Sequence, residues 1–140
     1  MPIVQILIRL IAAALLSGVI GFEREYRHKP AGIRTNMLVG LGTAVVCLVT
    51  IELLREYPAA TIDPAHLASM VMSGIGFLGA GTILQDKGSV RGLTTAASLW
   101  LVASIGLAAG MGLFSIAIIA TVLGLTTLVA LSKFHPEEKG

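Results

Sequence analysis

The sequence predicts an all-α membrane protein of five transmembrane helices, with the N-terminus outside and the C-terminus cytoplasmic. Three observations carry this. Of the 140 residues, 55% are hydrophobic and only 13% are charged, against about 25% charged in an average soluble domain. The mean hydropathy of +0.88 is too high for so small a globule to bury its apolar excess, so lipid is the natural solvent. The ten Lys and Arg residues gather at alternate ends of the apolar segments.

Each segment has a reason. Ile3–Phe22 carries one charge, Arg9, and Thr35–Leu54 carries Glu52 near its end. Leu67–Leu84, Leu93–Ala109 and Met111–Leu131 carry none. A spanning helix needs about 20 mainly apolar residues, and every segment fits. Read as one helix, Leu93–Leu131 would be ~58 Å long, nearly twice the ~30 Å hydrocarbon core. It is therefore expected to fold back at Ala109-Gly-Met-Gly112. The first segment lacks a basic n-region and a cleavage signal, so it reads as a retained helix. Residues 1–132 make the transmembrane domain and 133–140 a short polar tail.

Orientation follows from charge. One side receives Arg24, Arg27, Lys29, Arg34, Lys87, Arg91, Lys133 and Lys139; the other receives only Arg55, and Arg9 is intramembrane. The positive-inside rule places the basic side in the cytoplasm. The lone Cys47 excludes an intrachain disulfide and reads as a small packing residue.

The glycine-dense run Ser73-Gly-Ile-Gly-Phe-Leu-Gly-Ala-Gly81 is the densest local signal. Gly74-x-Gly76-x-x-Gly79 matches a dinucleotide fingerprint literally, but an uncharged 18-residue apolar run is the wrong context. Within a membrane, Ser73, Gly74, Gly76, Gly79 and Gly81 read instead as a close helix-packing site. Ser17-Gly-Val-Ile-Gly-Phe22 echoes Ser73-Gly-Ile-Gly-Phe77, each leading to a charged turn that ends in arginine, Arg34 or Arg91. The echo is short, and either a parallel repeat or chance resemblance between apolar segments accounts for it.

Arg34-Thr35 and Arg91-Gly-Leu-Thr94-Thr95 stand where the second and fourth helices begin. Arginine at the positive end of a helix dipole calls for a nearby anion, and backbone N–H groups with hydroxyls complete an anion site. Topology-setting charges with an internal partner, Glu23 or Asp86, satisfy the pattern. So does lipid phosphate or a bound ligand. Arg9 and Glu52 lie near the outer ends of neighbouring antiparallel helices, and the cost of intramembrane charge predicts that they pair. His28, His66 and His135 fall outside the predicted helices with no metal-ligand spacing. Asp86-Lys-Gly-Ser89 lacks the soluble domains that aspartyl-phosphate chemistry needs, and no phosphate-binding loop is present, so no enzyme activity is expected.

Gly21-Phe-Glu-Arg-Glu25, Lys29-Pro-Ala-Gly-Ile-Arg-Thr35, Gly74-Ile-Gly-Phe-Leu-Gly-Ala-Gly-Thr-Ile83 and Val90-Arg-Gly-Leu-Thr-Thr-Ala-Ala-Ser-Leu-Trp100 together resemble the membrane domain of the MgtC/SapB family. The resemblance runs from the first helix to the fifth. It implies a multi-pass protein of the bacterial inner membrane, linked to adaptation to low magnesium and, in pathogens, to virulence. It maps the family motifs onto Glu23, Arg24, Arg34, Thr35, Asp86, Arg91, Thr94 and Thr95, the ligand- or ion-binding candidates. Longer members append a soluble cytoplasmic domain where this chain has only Lys133–Gly140.

Two functions compete: a regulator or accessory protein, and a magnesium or small-solute transporter or channel acting as an oligomer. Magnesium keeps several waters and takes one or two carboxylates. Glu23 and Asp86 are the candidate ligands, yet neither lies near the midplane, which favours the regulator. No cofactor is expected beyond magnesium. The expected partners are the lipid bilayer, a second copy in a homodimer through small-residue faces, and another membrane protein; nucleic acid is not among them.

Overall fold

A computed structural model describes residues 1–57, 63–86 and 89–131. Among these, five α-helices and one β-ribbon follow in the order α1 (Ile3–Tyr26), α2 (Ile33–Glu56), α3 (Pro64–Ala80), β1 (Leu84–Asp86), β2 (Ser89–Arg91), α4 (Leu93–Met111) and α5 (Phe114–Leu131). The tail Lys133–Gly140 lies outside the described residues. Three helices, α1, α2 and α4, are long and apolar enough to cross a bilayer, and His66–Ala80 and Phe114–Ala130 are shorter apolar helices. The all-α expectation holds, with a small ribbon that the hydropathy pattern did not disclose.

Element boundaries shift for identifiable reasons. α1 runs one turn past Phe22, so Glu23 and Arg24 are helical rather than in a loop. It ends where His28 turns left-handed at φ 54°. There His28 N–H donates to Glu25 O at 3.0 Å and Lys29 N–H to Arg24 O at 2.9 Å, the paired bonds of a Schellman stop. α3 stops at Ala80, short of Leu84, as successive turn bonds from Gly81, Thr82 and Ile83 close its end. The chain then forms an antiparallel ribbon pairing Leu84 with Arg91, Gln85 with Val90 and Asp86 with Ser89. Lys87 and Gly88 lie outside the described residues. His66 sits in the first turn of α3 rather than in a loop.

The expected fold-back occurs. α4 continues to Met111, and Gly112 at φ 81° ends it. Leu113 N–H returns to Ala108 O at 2.8 Å and Gly112 N–H to Ala109 O at 3.0 Å.

Helix α4 is the hub, touching each of the other four helices. Its buried side is small or aliphatic: Leu99, Val102, Ala103, Ile105, Gly106, Ala108, Ala109 and Gly110. Ala13 and Ile20 of α1, Ala44 of α2 and Ala117 of α5 complete the core, and Cys47 is buried with it as a packing residue. Lipid supplies no hydrophobic drive between helices, so close backbone approach and van der Waals contact hold them.

The glycines that permit this approach are not those of the Ser73–Gly81 run. A Cβ on Gly106 would collide with Thr43 Oγ1 and the Gly40 backbone, and one on Gly40 would overlap Ser17 Oγ. On Gly110 it would stand 3.0 Å from the Ala44 backbone, and on Gly21 2.7 Å from Ile33 Cα. Gly74 and Gly76 have nothing within 4 Å of such a Cβ, Gly79 meets Ala96 only at ordinary contact, 3.5 Å, and Gly81 meets Leu78 O of its own turn. Ser73 is exposed. Within this chain the crowded seam is α1–α2–α4, and α3 lies against α4 at its edge, where Gly79 meets Ala96. The echoing glycines, Gly21 and Gly76, have different surroundings.

Candidate functional site

Buried polar side chains collect where α1 ends and α2 and α4 begin, here called the polar end. Glu23, Arg24, Asn36, Thr95 and Ser98 are all buried there, and Ser17 is buried further back along α1. Glu23 is 6% exposed and Arg24 5%. A carboxylate and a guanidinium this enclosed, in a bundle of apolar helices, need partners, because an uncompensated buried charge is costly.

The partners are local and specific. Arg24 Nη2 donates to Thr95 Oγ1 at 3.1 Å, tying α1 to the first turn of α4. Glu23 Oε1 lies 2.7 Å from Arg27 Nε one turn along α1. Glu23 Oε2 is buried without a hydrogen-bond partner. Ser98 Oγ donates back to Thr95 O at 2.8 Å, completing the α4 side. At the opposite end Arg9 Nη1 donates to Gly110 O at 2.8 Å. Arg9 and Arg24 are fifteen residues apart on α1, as are Thr95 and Gly110 on α4. Two arginines thus pin one antiparallel pair at both ends of a span of ~22 Å.

The expected Arg9–Glu52 pair does not form. Glu52 Oε1 takes the Met1 ammonium at 2.6 Å and Arg55 Nη1 at 3.2 Å. Arg9 instead caps α4, whose final carbonyls lack intrahelical donors and carry negative dipole. Replacing Arg9 with Met is expected to cost about 1–2 kcal/mol of bundle stability. In a double-mutant cycle of thermal unfolding, Arg9→Met and Glu52→Ala should add independently; a large coupling energy would restore the original pairing.

The sequence candidates divide. Glu23, Arg24 and Thr95 are brought together and buried. Arg34, Thr35, Arg91 and Thr94 are exposed, and Asp86 is placed only by its backbone in β1. The N-terminus of α2 already has its anion, since Ile33 N–H donates to Glu25 Oε2 at 2.9 Å. That internal anion is Glu25, not Glu23. Asn36, absent from the sequence candidates, is fully buried; its Nδ2 donates to Ala31 O at 2.5 Å and Gly32 O at 2.9 Å. It holds the turn in which Ala31 adopts φ 58°. An amide inside an apolar segment was the available signal. No group of three or more His, Cys, Asp or Glu suited to a metal ion occurs among the described residues. As a cation site, Glu23 also has an arginine at one oxygen.

Apolar helices packed through glycine, three of them long and apolar enough to cross a bilayer, with ionisable groups buried at the polar end, define a helical membrane protein. The chain belongs to the MgtC family, whose model matches residues 10–136. It is 47% identical over 113 residues to Protein MgtC of Brucella abortus, covering 81% of this chain and 45% of that protein. It is 44% identical over 117 residues to Protein MgtC of Salmonella typhimurium, covering 84% and 48%. To the Escherichia coli protein named "Putative magnesium transporter YhiD" it is 40% identical over 139 residues, covering 94% and 61%. The chain thus spans 45–61% of the length of these relatives. No solved structure matches it.

Proposed function

We propose that this protein is a regulator or accessory component of magnesium homeostasis in the bacterial cytoplasmic membrane. It works through the buried Glu23–Arg24–Thr95 cluster rather than by conducting the ion. The observation that carries the reading is the state of Glu23, a buried carboxylate with an arginine 2.7 Å from one oxygen. A guanidinium beside a carboxylate opposes a dication there, whereas the Arg24–Thr95 hydrogen bond, which joins the end of α1 to the start of α4, suits a conformational signal passed to a partner. The glycine contacts of Gly40 and Gly106 close the seam above it. In this reading all five helices span, the basic ends face the cytoplasm by the positive-inside rule, and the cluster lies at the inner face. A second copy packs on the open Ser73–Gly76 side of α3.

The competing reading, a magnesium transporter, draws on the printed name of the Escherichia coli relative. Flux measurement separates the two. Purified protein in proteoliposomes is expected to release or take up no magnesium above empty vesicles. Magnesium flux that disappears in Glu23→Gln would overturn the regulator reading.

A further inference from the structure

Buried oxygens on three separate side chains at or near the polar end lack hydrogen-bond partners: both Glu23 carboxylate oxygens, of which Oε1 has the Arg27 ion pair, Ser17 Oγ and Asn36 Oδ1. Ser17 and Asn36 face one seam. A Cβ on Gly40 would overlap Ser17 Oγ, and one on Gly21 would stand 3.0 Å from Asn36 Cβ. Ser17 and Gly21 are one turn apart on α1, as are Asn36 and Gly40 on α2, so the two oxygens occupy neighbouring rungs of the α1–α2 contact. Both side chains are 0% exposed.

Ser17 is the exception among comparable hydroxyls. Buried Thr43, Ser98 and Thr121 each donate to a carbonyl three or four residues back in their own helix, the usual way a helix satisfies a hydroxyl in an apolar setting. Ser17 makes no such bond. Asn36 has no freedom to turn its amide, because Nδ2 is engaged with Ala31 O and Gly32 O, and Oδ1 is thereby left as an acceptor.

We propose that the α1–α2 seam binds water between Ser17 Oγ and Asn36 Oδ1. The ligand class follows from charge and size. The pair offers acceptor oxygens, so the ligand must donate. The ionisable side chain on the Ser17 face of α1 at this end, two turns on, is the cationic Arg24, which disfavours a metal or ammonium ion. The glycine contacts hold α1 and α2 close at this seam, which favours the smallest donor, water, with its need for two to four polar partners. Ser17 can return a donor to the same water. A hydrated point here carries polar character from the Glu23–Arg24 level inward, and it ends where Gly40 meets Gly106.

The sign of one substitution tests this. An oxygen buried with no partner destabilises the fold, and removing it should raise Tm. An oxygen that holds a bound water stabilises, and removing it should lower Tm. Ser17→Ala in the full chain is expected to lower Tm by about 4 °C. In an Asn36→Leu background its effect should fall to half or less, since the water has then lost its second anchor. A Tm unchanged or raised by Ser17→Ala overturns the proposal, and so does strict additivity of the two changes. If Asn36→Leu does not fold, the sign of the single variant decides.

Discussion

Gly40→Leu and Gly106→Leu are each expected to prevent assembly of the bundle, while Gly76→Leu leaves it folded. The contrast follows from what a side chain would meet. At Gly106 the first added carbon already collides with the Gly40 backbone and Thr43 Oγ1. Backbone cannot move aside without separating α2 from α4, the hub helix, and α1 rests on the same seam. Overpacking of this kind belongs to the small class of substitutions that cost more than about 4 kcal/mol. At Gly76 a Cβ meets nothing of this chain within 4 Å, so leucine disturbs no contact within the bundle and should change its stability by about 0.5 kcal/mol or less. Size-exclusion profiles and thermal melts of detergent-purified variants read the difference. Equal damage from Gly76→Leu would mean that the α3 face is buried by something the fold of one chain does not require.

Loss of function without loss of fold is expected when the Arg24–Thr95 contact is broken conservatively. Thr95→Val keeps the shape and removes the hydroxyl that accepts from Arg24 Nη2. A hydrogen bond to a charged group is worth about 1.5–3 kcal/mol, which a bundle held by four helix interfaces on α4 can lose and still fold. Arg24→Lys keeps the charge and loses the planar fork. Arg24→Met removes the charge from a 5% exposed site and should cost more, about 3–5 kcal/mol, by uncovering buried polar partners. The ordering Met worse than Lys and Val in stability, with all three inactive, distinguishes a working contact from a purely structural one.

Much of the architecture was legible because membrane insertion is governed by apolar length and by charge at the ends. The five apolar segments and the turn near Gly112 follow from those two quantities. The packing partners were not legible. Ser73–Gly81 is the densest glycine run, yet the tight contacts use Gly21, Gly40, Gly106 and Gly110, which are dispersed along three helices and gain meaning only when those helices meet. Charge pairing failed for a related reason. Arg9 and Glu52 have matching depth, but a helix C-terminus offers carbonyl acceptors that a sequence does not advertise, and Arg9 took one. Glu23, Arg24 and Thr95 were legible as charges and hydroxyls at helix ends. Their burial was not, because it depends on α1 continuing one turn beyond its apolar run.

The buried cluster as the working site is tested most directly by growth at low magnesium of a bacterial strain that depends on this protein. Arg24→Lys and Thr95→Val are supplied at wild-type membrane abundance. Growth is expected to fail for both variants while their melting behaviour remains that of folded protein. Full growth with either variant at equal abundance would contradict a functional role for the Arg24–Thr95 contact.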